Sequence, residues 1–412
     1  MSKTPFPIWV LAGVNLFIMM GLGLVAPVLP LYAESFGVSY AAIGFLISVF
    51  PTVRLFANLP SGVVGARYGE RQAGAAGAAL VACGGWVSGS APSFAWLIAG
   101  QALQGLGSSL FVTNAMSFIM RITPAEQMGK TMSVYQGSFA LGVSAGPIVG
   151  GFLANLGGFR LPFFAYGFLA AVTSVLSWLY IRGSAPETAV ARPAGLLSQG
   201  REVRRLFGRY EFLVSLVLTA MTFWVRAGAR HVTLPLYARD VAGADPMYIG
   251  LLLTLITVAN VIVLWPAGRA VDRSRKAVAV ASTFAVAVSV MAFGWAHSLT
   301  GLALVSVLFG ISTGFCGVPA SVIAADVMPA AVRGAGIGVF RMAGDLGFII
   351  GPIISGFAIT HFGFSRTFAV FAAGALIVSA LTLRMKETLN TGRSAPQEAG
   401  PWMPERPGGM GP

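Results

Sequence analysis

Apolar residues gather in twelve long runs along this chain, at about 8–31, 40–65, 73–90, 94–119, 130–153, 161–181, 211–237, 247–268, 277–297, 299–325, 335–359 and 364–383. A helix needs about 20 mostly apolar residues to cross the roughly 30 Å hydrocarbon core of a bilayer, and each run is of that order. Lipid offers no partner to backbone N–H and C=O groups, so runs of this length are predicted to be helices. Only 10% of the 412 residues are charged and 56% are hydrophobic, too little polar surface to clothe a water-soluble core. A soluble enzyme is thereby excluded. The first run has a single lysine ahead of it, exceeds the apolar segment of a signal peptide and ends without a small-residue cleavage site, so it is read as a retained helix.

The formal net charge of +13 needs mapping before it means anything. Twenty of the 27 basic residues, from Lys3, Arg67 and Arg71 to Arg384 and Arg406, fall on segments that share a side with the N-terminus. Three, Arg160, Arg239 and Arg366, fall on the other side. By the positive-inside rule both termini are expected in the cytoplasm, with the chain a multi-pass protein of the bacterial inner membrane. The excess charge then marks topology rather than a nucleic-acid partner. Cys83 and Cys316 lie inside apolar runs and read as small fillers; no metal spacing or cofactor loop stands in the chain, and no cofactor is expected.

The string Leu-Pro-Leu-Tyr-Ala occurs at 29–33 and again at 234–238, an offset of 205 that recurs. Gly105 maps onto Gly310, Pro124 and Gly129 onto Pro329 and Gly334, and Gly146-Pro147-Ile148 onto Gly351-Pro352-Ile353. Six helices separate the copies, an even number, so the two halves have the same orientation. The expected fold is all-α and integral to the membrane: twelve transmembrane helices as two parallel six-helix bundles. Residues 1–181 form the first bundle and 211–386 the second, joined by a polar, Arg-rich linker at 182–210 and followed by a Pro- and Gly-rich tail at 387–412, expected to be disordered.

These residues resemble the major facilitator superfamily, and within it the drug/proton antiporter branch. On helix 5, Gly142-x-x-x-Gly146-Pro147-x-x-Gly150-Gly151 matches that branch's antiporter motif. Glycines let helices approach closely and the proline bends the helix; the same motif reads equally as a packed kink. The segment from Gly62 through Arg67, Gly69 and Arg71 resembles the family's cytoplasmic gating loop, with Ala66 where the family carries Asp. Its second copy, Gly268 to Lys276, keeps Asp272 and Arg273 but lacks the following glycine. In helix 4, Gln101-x-x-Gln104-Gly105-x-Gly107 resembles the branch's third motif, with Gln101 where an arginine tied to proton transfer is expected. The resemblance implies a monomeric transporter working by alternating access.

Four arginines, Arg54, Arg226, Arg230 and Arg341, and one acid, Asp345, fall within spans. Each mid-bilayer charge costs about 2.5–3.5 kcal/mol, so these groups must face protein, water or substrate. Helices 2 and 11 pack together in the superfamily, which implies that an Arg54–Asp345 pair is possible; it reads either as a gate with Asp345 as proton acceptor or as a static strut. Arg341, at i−4 from Asp345, is an equally available partner. Arg226 and Arg230, one turn apart on helix 7 with Phe223 and Trp224 below them, read as a cationic clamp on an anionic substrate. The alternative has Arg230 snorkelling to the outer face while Arg226 bonds backbone carbonyls. His231 reads as a partly exposed side chain near the outer mouth. Of the uncharged polar residues, Asn15, Gln101, Gln104, Asn114, Gln136, Asn260 and Thr313, most are expected to bond neighbouring helices, and Asn15 and Gln101 are the better candidates for substrate contact.

The function expected is a secondary active transporter, not an enzyme, with proton-coupled efflux of a small amphipathic or anionic compound as the leading reading. An organic-anion importer or uniporter is the alternative, and a non-transporting receptor or scaffold a remote one. The partners expected are the small-molecule substrate, protons and the lipid bilayer, with no nucleic acid.

Overall fold

The computed structural model describes residues 6–123, 127–180, 204–329 and 333–389. Most of the expected linker (182–203) and tail (390–412) lie outside the described residues, as do Lys3 and Pro124. Regular structure among the described residues is helical throughout: α1 Phe6–Val25, α2 Tyr40–Tyr68, α3 Glu70–Gly89, α4 Phe94–Ile122, α5 Met128–Gly157 and α6 Leu161–Tyr180. In the second half, α7 begins as Tyr210–Val225, passes through a π-helical segment Arg226–Thr233 and ends as Leu234–Asp240. Next come α8, in two pieces Pro246–Ile262 and Leu264–Val271 bent by 41°, then α9 Arg275–Phe293 and α10 Leu299–Val327. The last helical run, Arg333–Leu383, is two helices divided at Gly363, whose φ of 76° only glycine adopts cheaply; we call them α11 (333–362) and α12 (364–383).

Several boundaries differ from the sequence pattern. The first apolar run is broken after Val25 by a turn at 26–28, and a short helix Leu29–Glu34 restarts with Pro30 in its first turn, where a missing N–H is harmless. The single runs expected for helices 7 and 8 carry a π segment and a bend. Helix starts follow local chemistry: Ser39, Asp245, Ser274 and Ser298 each accept the backbone N–H three residues on. Seven described helices are long and apolar enough to span a bilayer by themselves, with the α11–α12 run counting once, and the bent α8 makes eight. α3 and α4 carry more glycine and polar side chains and pack on one another; α1 packs on α5 and α6.

The chain's first helix starts at what we term the proximal end of the bundle; the α1–α2 connection lies at the distal end. The halves α1–α6 and α7–α12 meet along two seams, α2 on α11 and α5 on α8. Equivalent residues build both. Ser48 Oγ donates to Ile349 O at 2.7 Å, and its counterpart Thr254 Oγ1 donates to Ser144 O at 3.1 Å. Gly44 lies against the Pro352 carbonyl and Gly250 against the Pro147 carbonyl, each too close for a Cβ; Gly356 meets Tyr40 O as Gly151 meets Pro246 O. At the distal tip Arg239 bonds Glu34 at 2.8 Å, Tyr40 donates to Asp240 at 3.0 Å, and Asn155 to Asp245 at 2.8 Å. Glu34 and Arg239 occupy the same position of the repeat, one residue past each Leu-Pro-Leu-Tyr-Ala. Among the described residues, no hydrogen bond or ion pair joins the halves in the proximal third. The polar contacts that join the halves are thus gathered at mid-depth and at the distal tip.

Candidate functional site

The seams end at mid-depth on one ion pair. Arg54, halfway along α2, lies 3.6 Å from Asp345 of α11, with side chains 37% and 28% exposed. The structure thus pairs Asp345 across the halves rather than with Arg341 on its own helix. On α11 the residues that touch α2 recur as Gly356, Pro352, Ile349 and Asp345, a helical stripe whose next member is Arg341. Arg341 is exposed, within electrostatic reach of Arg54, and makes no hydrogen bond or ion pair with a described residue. On α5 the stripe Gly151, Pro147 and Ser144 continues likewise to Gln136, exposed below the seam. The equivalents of Arg54 and Asp345 on the other seam are Asn260 and Ala140, so the charge is confined to one seam.

On α7 the two arginines expected to act as a clamp differ in their partners. Arg230 is 4% exposed and turned into α8, where Nη2 donates to the Leu253 carbonyl at 3.3 Å and to the Thr257 hydroxyl, while its Nε finds no partner. Arg226 is only partly buried, sits 6.0 Å from the Phe223 ring and lies near the Cys316 thiol. It makes no hydrogen bond or ion pair with a described residue. Arg230 thus spends its donors on α8, within a π-helical segment, while it stays within electrostatic reach of Arg226. Phe223, 38% exposed, packs under Gly344 of α11, and its ring is 6.3 Å from Phe348. His231 is half-buried with its ring 5.9 Å from Phe348.

The two uncharged residues favoured for substrate contact are both buried. Asn15 is fully buried and donates to the Tyr135 carbonyl at 3.1 Å and the Ser138 hydroxyl at 3.0 Å, tying α1 to α5. Gln101 is 4% exposed, its amide nitrogen without a partner. Gln104, Asn114 and Asn260 bond within their own halves, Thr313 accepting from Asn260.

The antiporter motif works on two faces. Gly142, Gly146 and Gly150 bring α5 onto α1, with an added Cβ falling 2.8 Å from Leu16 O at Gly142 and 2.5 Å from Gly23 Cα at Gly146, and closer still to Leu24 O at Gly150. Pro147 and Gly151 face α8. In the gating segment Gly62 and Arg67 are exposed, Arg67 over the Tyr68 ring at 5.4 Å, and Gly69 ends α2 at φ 89°. Asp272 and Arg273 are exposed, without an ion pair to a described residue. Proximal charges pair inside each half instead: Arg121 with Glu70 at 2.5 Å, and Arg275 with Asp326 at 3.1 Å. These are equivalent positions with the charges exchanged, as at Glu34 and Arg239. The exchange was open to sequence reading by extending the 205-residue offset to charged residues; Phe348 carried no signal.

Two equivalent six-helix halves that meet along two seams, with charged groups inside the spans, are the frame of a polytopic membrane transporter rather than an enzyme. A family model described as Major Facilitator Superfamily matches residues 11–245 and again 231–407, and the chain belongs to that superfamily. It is 21% identical over 395 residues to an uncharacterised MFS-type transporter of Methanocaldococcus jannaschii, covering 93% of this chain and 98% of the relative. It is 24% identical over 372 residues to the multi-drug resistance efflux pump PmrA of Streptococcus pneumoniae, covering 87% and 90%. Such relatives make it similar to the drug/proton antiporters of the superfamily. Among solved structures it resembles a bacterial homolog of the human lysosomal transporter Spinster in an inward-facing and occupied conformation (TM-score 0.77, 13% identity, 93% of this chain and 97% of that one). A D-xylose–proton symporter superposes with TM-score 0.75 at 15% identity, over 92% and 98%.

Proposed function

We propose that the protein is a proton-coupled secondary transporter of the bacterial inner membrane, exporting a small amphipathic or anionic organic compound. The bundles 1–181 and 211–386 rock about the linker 182–210; the tail, expected to be disordered from 387, begins with Glu387 and Thr388 bonded to the second bundle, and they move with it. The proximal end, where the basic side chains concentrate, is cytoplasmic, and the gathering of inter-half contacts away from it supports reading this state as inward-facing. The observation that carries the reading is the Arg54–Asp345 pair, which joins the halves at mid-depth. With Asp345 ionised the pair holds α2 to α11; protonation removes the attraction and lets the seam part. Gly62, Arg67, Gly69, Asp272 and Arg273 close the proximal end in the opposite state, and the Gly142–Gly151 motif keeps α5 stiff through the change. The efflux relatives support the direction. A second reading, an organic-anion importer or uniporter, draws on the excess of positive charge at the opening, where Arg54, Arg226 and Arg341 face a single acid.

The test is uptake of a fluorescent amphipathic carboxylate, pyrenebutyrate, into proteoliposomes with and without an imposed pH gradient. The proposal expects gradient-driven accumulation in the wild type and none with Asp345→Asn, which retains exchange of internal for external probe. Undiminished gradient-driven transport by Asp345→Asn would remove the coupling role.

A further inference from the structure

We propose that Arg226 and Arg341, with the Phe223–Phe348 ring pair, form the binding site for an organic anion whose carboxylate is attached to an aromatic body. The inference rests on the transporter reading above and names its substrate class.

Charge on the elements around the site carries the argument. Arg226 on α7 and Arg341 on α11 have no hydrogen bond or ion pair with a described residue, and neither is fully buried. The other titratable groups facing them are Arg230 and His231 on α7, Cys316 on α10, and Arg54 and Asp345. Asp345 is the lone acid of this set, and it is engaged with Arg54 at 3.6 Å. Arg230 adds a buried guanidinium that bonds a carbonyl and a hydroxyl but no carboxylate, which leaves its charge uncompensated as well. A cluster of cations with one engaged acid, set in protein and lipid rather than bulk water, favours an anion from the proximal side and disfavours a cation.

Geometry narrows the class. Arg226 lies 6.0 Å from the Phe223 ring; that ring packs on Gly344, one turn from Arg341, and stands edge-on to Phe348 at 6.3 Å. Arg226 thus borders a partly exposed aromatic surface, and Arg341 lies on the α11 face that carries Gly344 and Phe348. A guanidinium fork matches a carboxylate bidentately, and an offset or edge-on ring contact suits a flat apolar body. The rings of the site, Phe223 and Phe348, stand beside guanidinium charge, which disfavours a lipophilic cation.

The experiment is equilibrium binding to the full-length protein in nanodiscs, without any gradient, using 1-naphthoate and tetraphenylphosphonium as probes, read by titration calorimetry and by protection against thermal unfolding. We expect 1-naphthoate to bind and to raise the melting temperature, tetraphenylphosphonium not to compete, and Arg226→Gln and Arg341→Gln each to weaken naphthoate about tenfold or more. Arg226→Lys and Arg341→Lys keep the charge and are expected to recover part of the affinity, which separates loss of the site from loss of the fold. Unchanged naphthoate affinity in both Gln variants, or tighter binding of tetraphenylphosphonium than of naphthoate, would overturn the assignment. Because no proton gradient enters, naphthoate binding that persists when pH-driven transport fails would sink the coupling reading and leave this one standing.

Discussion

Asn15 and Asp345 are both polar groups at the depth of the bilayer, and what each bonds decides what each can do. Asn15 has its amide nitrogen on Tyr135 O and Ser138 Oγ and no exposed surface, so its energy goes into holding α1 on α5. Hydrogen bonds between membrane helices average below about 1 kcal/mol and reach about 2 kcal/mol, so Asn15→Ala is expected to cost about 1 kcal/mol of stability and to leave naphthoate affinity unchanged, as a paired melting and binding measurement would reveal. Glu387, beyond α12, works by charge: it accepts from Ser274 Oγ at 2.5 Å and from the N–H groups of Arg275 and Lys276, capping α9. Burial pushes its carboxyl up, but the bonds from Ser274, Lys276, Arg275 and Thr388 outweigh it and hold the group below its ordinary value of 4.5. A carboxyl depressed in the folded state contributes stability above its unfolded value and loses it as pH falls through the folded one. Thermal unfolding should therefore lose stability on acidification below about pH 4.5, and Glu387→Gln should flatten that part of the profile; an identical profile would contradict the cap. The Arg54–Asp345 pair is legible through the resemblance to the superfamily, which implies that helices 2 and 11 pack together; the residues alone leave Arg341 an equal partner. Spacing misses the fate of Arg230, since the partners of a side chain in a π segment depend on packing that the α period does not encode.

At the scale of elements, glycines decide how close the seams come. Gly44 and Gly250 hold equivalent places against the Pro352 and Pro147 carbonyls, while Gly137 on α5 has open space around it. Gly44→Ala and Gly250→Ala are expected each to destabilise the distal seal by about 1–3 kcal/mol through overpacking, with Gly137→Ala near neutral. Accessibility of Ser39→Cys, exposed at the start of α2, to a membrane-impermeant maleimide would register the opening as faster labelling in the two seam variants only. The repeat made much of this readable: the offset aligns both seams, and glycine followed by proline at 146 and 351 marks where α5 and α11 must press on neighbours. The breaks at 26–28 and 262–264 escape a count of apolar length because apolar residues continue through them; Pro27 and Pro266, at and just beyond them, are the signal that such a count passes over. Between Glu34 and Arg239 the repeat replaces one charge by its opposite, turning a contact between equivalents into an attraction at 2.8 Å. Glu34→Arg should repel Arg239 and loosen the distal tip, and Glu34→Arg with Arg239→Glu should restore wild-type labelling; failure of the double variant to recover would show that the pair does not hold the seal.

At the scale of the molecule, the two halves are each internally braced and joined by little. Glu70–Arg121 in one half and Arg275–Asp326 in the other fasten proximal helix ends within their own bundle, so each half can turn as a body while the seams open or close. Composition and apolar length established a twelve-helix membrane protein, and the repeat established two like-oriented halves; neither could say at which end the halves are joined, because both ends carry equally apolar helices. The central claim is that sealing one end parts the other and that the charge on Asp345 biases the choice. Electron–electron resonance distances test it most directly, with spin labels in a background lacking Cys83 and Cys316. One label pair replaces the exposed, equivalent residues Gln72 and Ala277 at the proximal ends of α3 and α9, and the other replaces Ser90 and Trp295 at their distal ends. The account predicts that Asp345→Asn shortens the proximal distance and lengthens the distal one together in the same preparation. Distances that stay fixed, or that lengthen at both ends at once, would contradict it.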